Sequence, residues 1–171
     1  MDKAYVQIYT GNGKGKTTAA LGISLRSVCA GRRVFFGQFI KGMDYSELKA
    51  PDFLPGFELK QFGRDCFIRN NPTKEDIAMA KNGFEEIKSK IMSEEYDLVV
   101  MDELNIAIFF ELIEVEEVLE LIDKKPEKVE LIITGRYAPK ELIEAADLVT
   151  EMKEIKHYYT AGVPARIGIE Y

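Results

Sequence analysis

At 171 residues, with 46% hydrophobic and 30% charged side chains, the chain has the length and composition of one globular domain with a continuous core. A formal charge of -6, from 29 acidic and 23 basic residues, argues against a duplex-binding surface, which normally carries a basic face, and leaves a nucleic-acid role only to a local patch. Two cysteines, Cys29 and Cys66, supply neither a disulfide framework nor a zinc site, which predicts a reducing compartment and makes Cys29 a small buried hydrophobe.

No apolar run reaches membrane-spanning length, and Met1-Asp2-Lys3 leads into a strand without signal-peptide architecture, so a cytoplasmic protein is expected. Strand-like and helix-like segments alternate throughout, which predicts βα units, a mostly parallel sheet flanked by helices and a single α/β domain over 1–171. The alternating run Tyr5-Val6-Gln7-Ile8-Tyr9 marks a first strand near 4–10. It feeds Thr10-Gly11-Asn12-Gly13-Lys14-Gly15-Lys16-Thr17-Thr18, a phosphate-cradling loop. Glycines let backbone N–H groups turn around an anion, Lys16 adds a point charge, and the Thr17 hydroxyl is placed to hold Mg²⁺. The standard loop has one more residue between its first glycine and the Gly-Lys pair, so either Thr10 takes the first glycine's place or the loop is shortened. A glycine-rich hairpin is the alternative, but two lysines and paired threonines are odd turn chemistry between hydrophobic segments.

A helix over about 16–30 is expected to end at Gly31, followed by a strand over 33–41. Residues 42–72, punctuated by Gly42, Pro51, Pro55, Gly56, Gly63 and Pro72 around a short strand near 57–62, form the most irregular stretch and are expected to face the substrate. Thr73 caps an amphipathic helix carrying Ile77, Ala80, Phe84, Ile87 and Ile91. Strands at 96–101 and 129–134 follow, with a helix on Val115, Val118, Leu119 and Ile122 between them whose glutamates form a solvated face. A short helix on Leu142, Ile143 and Ala146, a strand near 148–152 and a tail of loop ending in an edge segment complete the chain.

Two strands end in chemistry-bearing residues. Asp102-Glu103 stand where a phosphate-loop protein keeps its Mg²⁺-orienting carboxylate, with Glu103 favoured as ligand and Asp102 open to a helix-capping role. Arg136, after Gly135, can fork two phosphate oxygens if the strands are parallel, or form a surface ion pair. Lone His157 is a binding candidate only, and no nucleophile–base arrangement is suggested by spacing, so positioning and leaving-group electrostatics would have to suffice.

Taken with Met101-Asp102-Glu103-Leu104-Asn105, Thr134-Gly135-Arg136, Ala146-Asp147-Leu148-Val149-Thr150-Glu151-Met152 and the ending Ala161-Gly162-Val163-Pro164-Ala165-Arg166-Ile167-Gly168-Ile169-Glu170-Tyr171, the loop resembles those of the ATP:corrinoid adenosyltransferases of the cobalamin-synthesis type, in which the short loop is itself a mark. The resemblance implies a RecA-like phosphate-loop fold, a homodimer, a reductase that supplies Co(I), and transfer of the 5′-deoxyadenosyl group of ATP to a reduced corrinoid with release of triphosphate. It assigns Gly11, Asn12, Gly13, Lys14, Gly15, Lys16, Thr17 and Thr18 to ATP, Thr17 and Glu103 to Mg²⁺, and Lys16, Glu103 and Arg136 to catalysis. Corrinoid contacts are expected near 63–69. Where the family has a Phe and a Trp, this chain has Cys66 and Ile68 with Phe67 between, an apolar wall for the corrinoid or, alternatively, loop packing. Family members often carry an N-terminal segment over the active site, and this chain starts at its first strand. A phosphate-loop kinase or ATPase and a nucleotide-dependent binding module are the rival readings.

Overall fold

The structure is a computed structural model that describes residues 3–64 and 71–171. Six parallel strands, β1 (Val6–Thr10), β2 (Val34–Phe39), β3 (Phe57–Phe62), β4 (Leu98–Asp102), β5 (Glu130–Thr134) and β6 (Leu148–Glu151), form one sheet in the order β3-β2-β4-β5-β1-β6. One strand, β5, separates the loop-bearing β1 from the acid-tipped β4. This is the expected P-loop, RecA-like α/β arrangement, and parallelism brings every strand's C-terminal end to one edge.

Side-chain alternation divides the apolar residues between two faces. Val99 and Met101 of β4 join Phe35, Phe39, Leu131 and Ile133 on one side, while Leu98 and Val100 join Val34, Phe36 and Ile132 on the other. The first face is covered by α3 (Lys74–Met92), whose Ala80, Phe84, Ile87 and Ile91 recur at helical spacing. Also on that side lie residues of α4 (Leu104–Phe109), α5 (Val115–Lys124) and α6 (Lys140–Ala145). The second is covered by α1 (Lys16–Cys29) and by residues at and beyond the one-turn α2 (Ala50–Phe53).

Two expectations fail. Cys29 is exposed, because the buried stripe of α1 runs through Lys16, Ala20, Ser24 and Ser27 and leaves position 29 off it. Among the described residues the tail adds no edge strand: after β6 it makes a 3₁₀ turn, Tyr158–Ala161, and folds back toward the phosphate loop. Cys66 and Phe67 lie outside the described residues, as does most of the stretch expected to meet the corrinoid.

The Thr73 cap is a reciprocal box in which Thr73 Oγ1 accepts from the Asp76 amide at 3.2 Å and Asp76 Oδ2 accepts from the Thr73 amide at 2.8 Å. Arg64 forks the same carboxylate at 2.7 and 2.8 Å. Chiefly through that guanidinium, the Asp76 carboxyl is lowered to about 2. A depressed folded pKa stabilises fully above the unfolded value near ~3.9 and is lost as pH falls toward 2, so Asp76→Asn should cost about 2 kcal/mol at neutral pH and progressively less through that acid window. Urea unfolding of both proteins across the window checks this.

Candidate functional site

The site is assembled at the C-terminal edge of β1, β2, β4 and β5. At the end of β1, Gly11 takes φ 98 and lies so close to the β6 terminus that a Cβ would come within 2.8 Å of the Met152 nitrogen. The Gly13 amide donates to the Met152 carbonyl at 2.7 Å, so Gly13 shapes the loop and its N–H faces the protein. Gly15 caps α1 without a side-chain acceptor. The first intrahelical bond runs from Ala19 to Gly15, which leaves the Lys16, Thr17 and Thr18 amides without helical partners and free for an anion.

Lys16 is buried, its ammonium donating to the Gly11 and Gly13 carbonyls at 2.9 and 2.8 Å. Burial draws its pKa below the usual lysine value, opposed by the negative charge of Glu103. Thr17 Oγ1 donates to Asp102 Oδ1 at 2.9 Å. Asp102, fully buried, also accepts from Thr134 Oγ1 at 2.6 Å, from Lys41 Nζ at 2.7 Å and from Gln38 Nε2 at 3.3 Å. Its carboxylate therefore braces the phosphate loop, and the helix-start position of α4 falls to Glu103 instead.

Glu103 holds a left-handed conformation, φ 60, fixed by its amide donating to Thr134 Oγ1 at 3.0 Å. Burial, then the adjacent Asp102, raises its carboxyl pKa. The Glu103 side chain faces two cavities. One, of about 480 Å³, is lined by Lys14 to Thr18, Leu21, Ser46, Glu47 and the tail residues Gly168 to Tyr171. The other, of about 320 Å³, has apolar walls from Ile40, Met43, Ile106 and Phe110 beside Arg64 and Arg136. Lys16, Lys41, Tyr45 and Glu103 line both, forming a polar partition between a side lined by the phosphate loop and one with apolar walls.

Arg136 is exposed at the mouth of the second cavity, placed by Gly135 at φ 130. Asn105 Nδ2 donates to the Gly135 carbonyl at 3.0 Å, and a Cβ on Gly135 would lie 2.9 Å from the Asn105 Cβ. Gly135→Ala should therefore cost roughly 1–3 kcal/mol of stability and displace Arg136, seen as a lower unfolding midpoint together with a raised KM for ATP.

The structure thus brings Gly15, Lys16, Thr17, Thr18, Glu103 and Arg136 to one cleft. Asn12 is exposed and lines neither cavity, and His157 uses Nδ1 to accept from the Tyr159 amide, away from both. Lys14 reaches the cleft, but its ammonium contacts Glu170 Oε1 at 2.6 Å and Tyr158 Oη at 2.8 Å. Arg166, Lys14 and Tyr158 hold the Glu170 carboxyl well below the usual range. Sequence reasoning missed Lys41, Gln38 and Thr134; the strand-end rule that singled out Asp102 and Arg136 would have found Thr134 had it been applied to the last residue of β5, whereas Lys41 lies two residues beyond the end of β2.

The oxygens of Thr17 and Glu103, which line the same cavity, are of the kind that suits a hard cation. Among the described residues no group of three or more His, Cys, Asp or Glu side chains is arranged to hold a metal ion. No described helix is long and apolar enough to cross a membrane.

A sequence profile for the family described as ATP:corrinoid adenosyltransferase BtuR/CobO/CobP matches residues 2–171. The chain is 36% identical over 174 aligned positions to a corrinoid adenosyltransferase of Sinorhizobium sp, covering 99% of this chain and 81% of that one. It is 33% identical to a corrinoid adenosyltransferase of Escherichia coli strain K12 and 32% identical to one of Salmonella typhimurium, each over 99% of this chain and 87% of the relative. A short phosphate loop, an acid-tipped strand beneath it and similarity along essentially the whole chain lead to one conclusion: this protein belongs to the ATP:corrinoid adenosyltransferases and is a transferase.

Proposed function

We propose that the protein transfers the 5′-deoxyadenosyl group of ATP to the Co(I) centre of a reduced corrinoid and releases triphosphate. The observation that carries this reading is the shared partition: Lys16, Lys41 and Glu103 stand between a cavity walled by the phosphate loop and one with apolar walls. A nucleotide whose phosphates lie on the loop would present its sugar at that partition, with the corrinoid on the apolar side. The Co(I) electron pair attacks C5′; the Co–C bond forms as C5′–O5′ breaks, cobalt becomes Co(III), and the bonding pair leaves on triphosphate oxygen. The attacking metal is the nucleophile, so the chain's work is alignment and neutralisation of the leaving group.

In this reading Lys16 and the open first-turn amides of α1 hold the triphosphate, and Arg136 forks its oxygens from the far side. Thr17 and Glu103 would hold Mg²⁺, with Asp102 orienting the Thr17 hydroxyl. The cation would add positive charge beside the departing phosphates. A reductase supplying Co(I) and assembly as a homodimer in the cytoplasm belong to the same proposal. The edge strand β6, exposed along its length, supports a second copy as its cover.

Mixing protein, ATP, Mg²⁺ and chemically reduced corrinoid should yield cobalt–carbon absorbance and one inorganic triphosphate per turnover. Formation of ADP and phosphate in its place would overturn the reading in favour of a phosphate-loop kinase or ATPase. Nucleotide-dependent partner binding without any turnover would favour a binding module.

A further inference from the structure

Lys41 pairs with Asp102 at the partition, and several features of the fold combine to put it there. It follows β2 through Ile40, whose φ of 63 is a left-handed conformation that a β-branched residue rarely adopts. Gly63 packs directly on this bend, and a Cβ there would come within 2.6 Å of the Lys41 nitrogen. The bend sends the Lys41 side chain inward, 14% exposed, under the ring of Tyr45, whose centroid lies 5.1 Å from Nζ. Its ammonium ends 2.7 Å from Asp102 Oδ2 and 3.3 Å from Thr17 Oγ1. Burial pulls the ammonium toward neutrality, but Asp102 at contact distance, with Glu103 and Glu47, outweighs it and keeps the pKa above the usual lysine value.

We infer that Lys41 is a tethered cation: without nucleotide it satisfies the Thr17–Asp102 oxygens and denies them to free divalent metal, and when a metal–nucleotide complex binds it moves across the partition onto phosphate oxygens. This rests on the reading that the loop receives a metal-bound triphosphate. The charge balance requires such a hand-over. Asp102 already takes four donors, so a divalent ion arriving alone must expel an ammonium from its carboxylate and compete with it for the remaining acid of the cleft, Glu103 and Glu47 among it. Arriving with triphosphate, the ion brings the anion on which the ammonium can settle. The flexible stem of lysine permits the movement, whereas a guanidinium forked at Asp102 would be held by two bonds.

The test is direct titration of Mn²⁺, followed by electron paramagnetic resonance of the free ion, with wild type, Lys41→Met, Lys41→Gln and Lys41→Arg, in the absence and presence of ATP. Without ATP, the Met and Gln variants should bind Mn²⁺ more tightly than wild type by a factor on the order of ten, and the Arg variant should not. With ATP that advantage should vanish. In melting experiments without nucleotide, Mg²⁺ should raise the midpoint of the Met and Gln variants and leave that of wild type unmoved. Unchanged Mn²⁺ affinity in both neutral variants overturns the proposal, as does failure of both to fold even with Mg²⁺ present, since a cation then cannot replace the lysine. An advantage that persists with ATP bound refutes the hand-over. No arm contains corrinoid, so a protein that shows the expected Mn²⁺ pattern but forms no cobalt–carbon bond would sink the proposed reaction and leave the tethered cation standing.

Discussion

Lys16→Ala should lower the single-turnover rate of adenosyl transfer by roughly 100- to 1000-fold, corresponding to the ~3 to 4 kcal/mol typical of one lost anion-stabilising donor in a water-poor site. In the structure the Lys16 ammonium is held by two loop carbonyls, Gly11 and Gly13, and is nearly removed from water. A bound triphosphate would compete for a donor already aimed into the loop, so little reorganisation is needed when charge develops on the leaving oxygen. In the proposed reaction that charge grows as C5′–O5′ breaks, so the loss should fall mainly on kcat and less on the KM for ATP. Removing the ammonium also leaves two carbonyls unmet, worth about 1 kcal/mol of stability, so unfolding should shift slightly while the fold persists. Near-wild-type single-turnover rates with a Co(I) substrate would show that Lys16 only supports the loop.

The parts of this site that could be read from the chain share one property: their signal is local. An apolar run that stops at Gly-rich or acidic residues marks both a strand and its functional end, which is why the β1 loop, the Asp102-Glu103 pair and Arg136 stand out. The capping box of Thr73 and Asp76 and the stripe from Ala80 to Ile91 are equally local. Lys41 is not. Phe39-Ile40-Lys41 reads as continuing strand, and only the packing of Gly63 across the sheet edge forces the bend at Ile40 that turns the lysine inward. The short helix α4 hides in Leu104-Asn105-Ile106-Ala107-Ile108-Phe109, an apolar run too brief for periodicity to tell helix from strand. Cys29 is misplaced for the opposite reason, since the most buried line of α1 includes small polar residues such as Ser24, whose hydroxyl returns to the Ala20 carbonyl at 2.7 Å, while Leu21, Ile23 and Val28 are only partly buried. The fold-back of the tail is an ionic contact between Lys14 and Glu170, 156 positions apart in the chain, and nothing near either residue announces the other.

Asp102→Ala should be the most destabilising single change at the cleft, costing about 3–5 kcal/mol, because it strands a buried ammonium rather than merely deleting a contact. Lys41, 14% exposed at its side chain, would lose the only carboxylate it bonds among the described residues. The hydroxyls of Thr17 and Thr134 would lose a shared acceptor as well. The Thr134 hydroxyl also receives the Glu103 amide, so the left-handed turn that aims Glu103 into both cavities would loosen with it. Transfer activity should therefore disappear together with stability. The two effects separate in the double variant Asp102→Ala/Lys41→Met, in which no uncompensated charge remains: it should recover most of the lost unfolding free energy in urea while staying inactive, because the Thr17 hydroxyl still lacks its orienting carboxylate. A single Asp102→Ala variant that unfolds within about 1 kcal/mol of wild type would mean that water reaches and satisfies Lys41, and that the ion pair beneath the phosphate loop contributes no more than an exposed one.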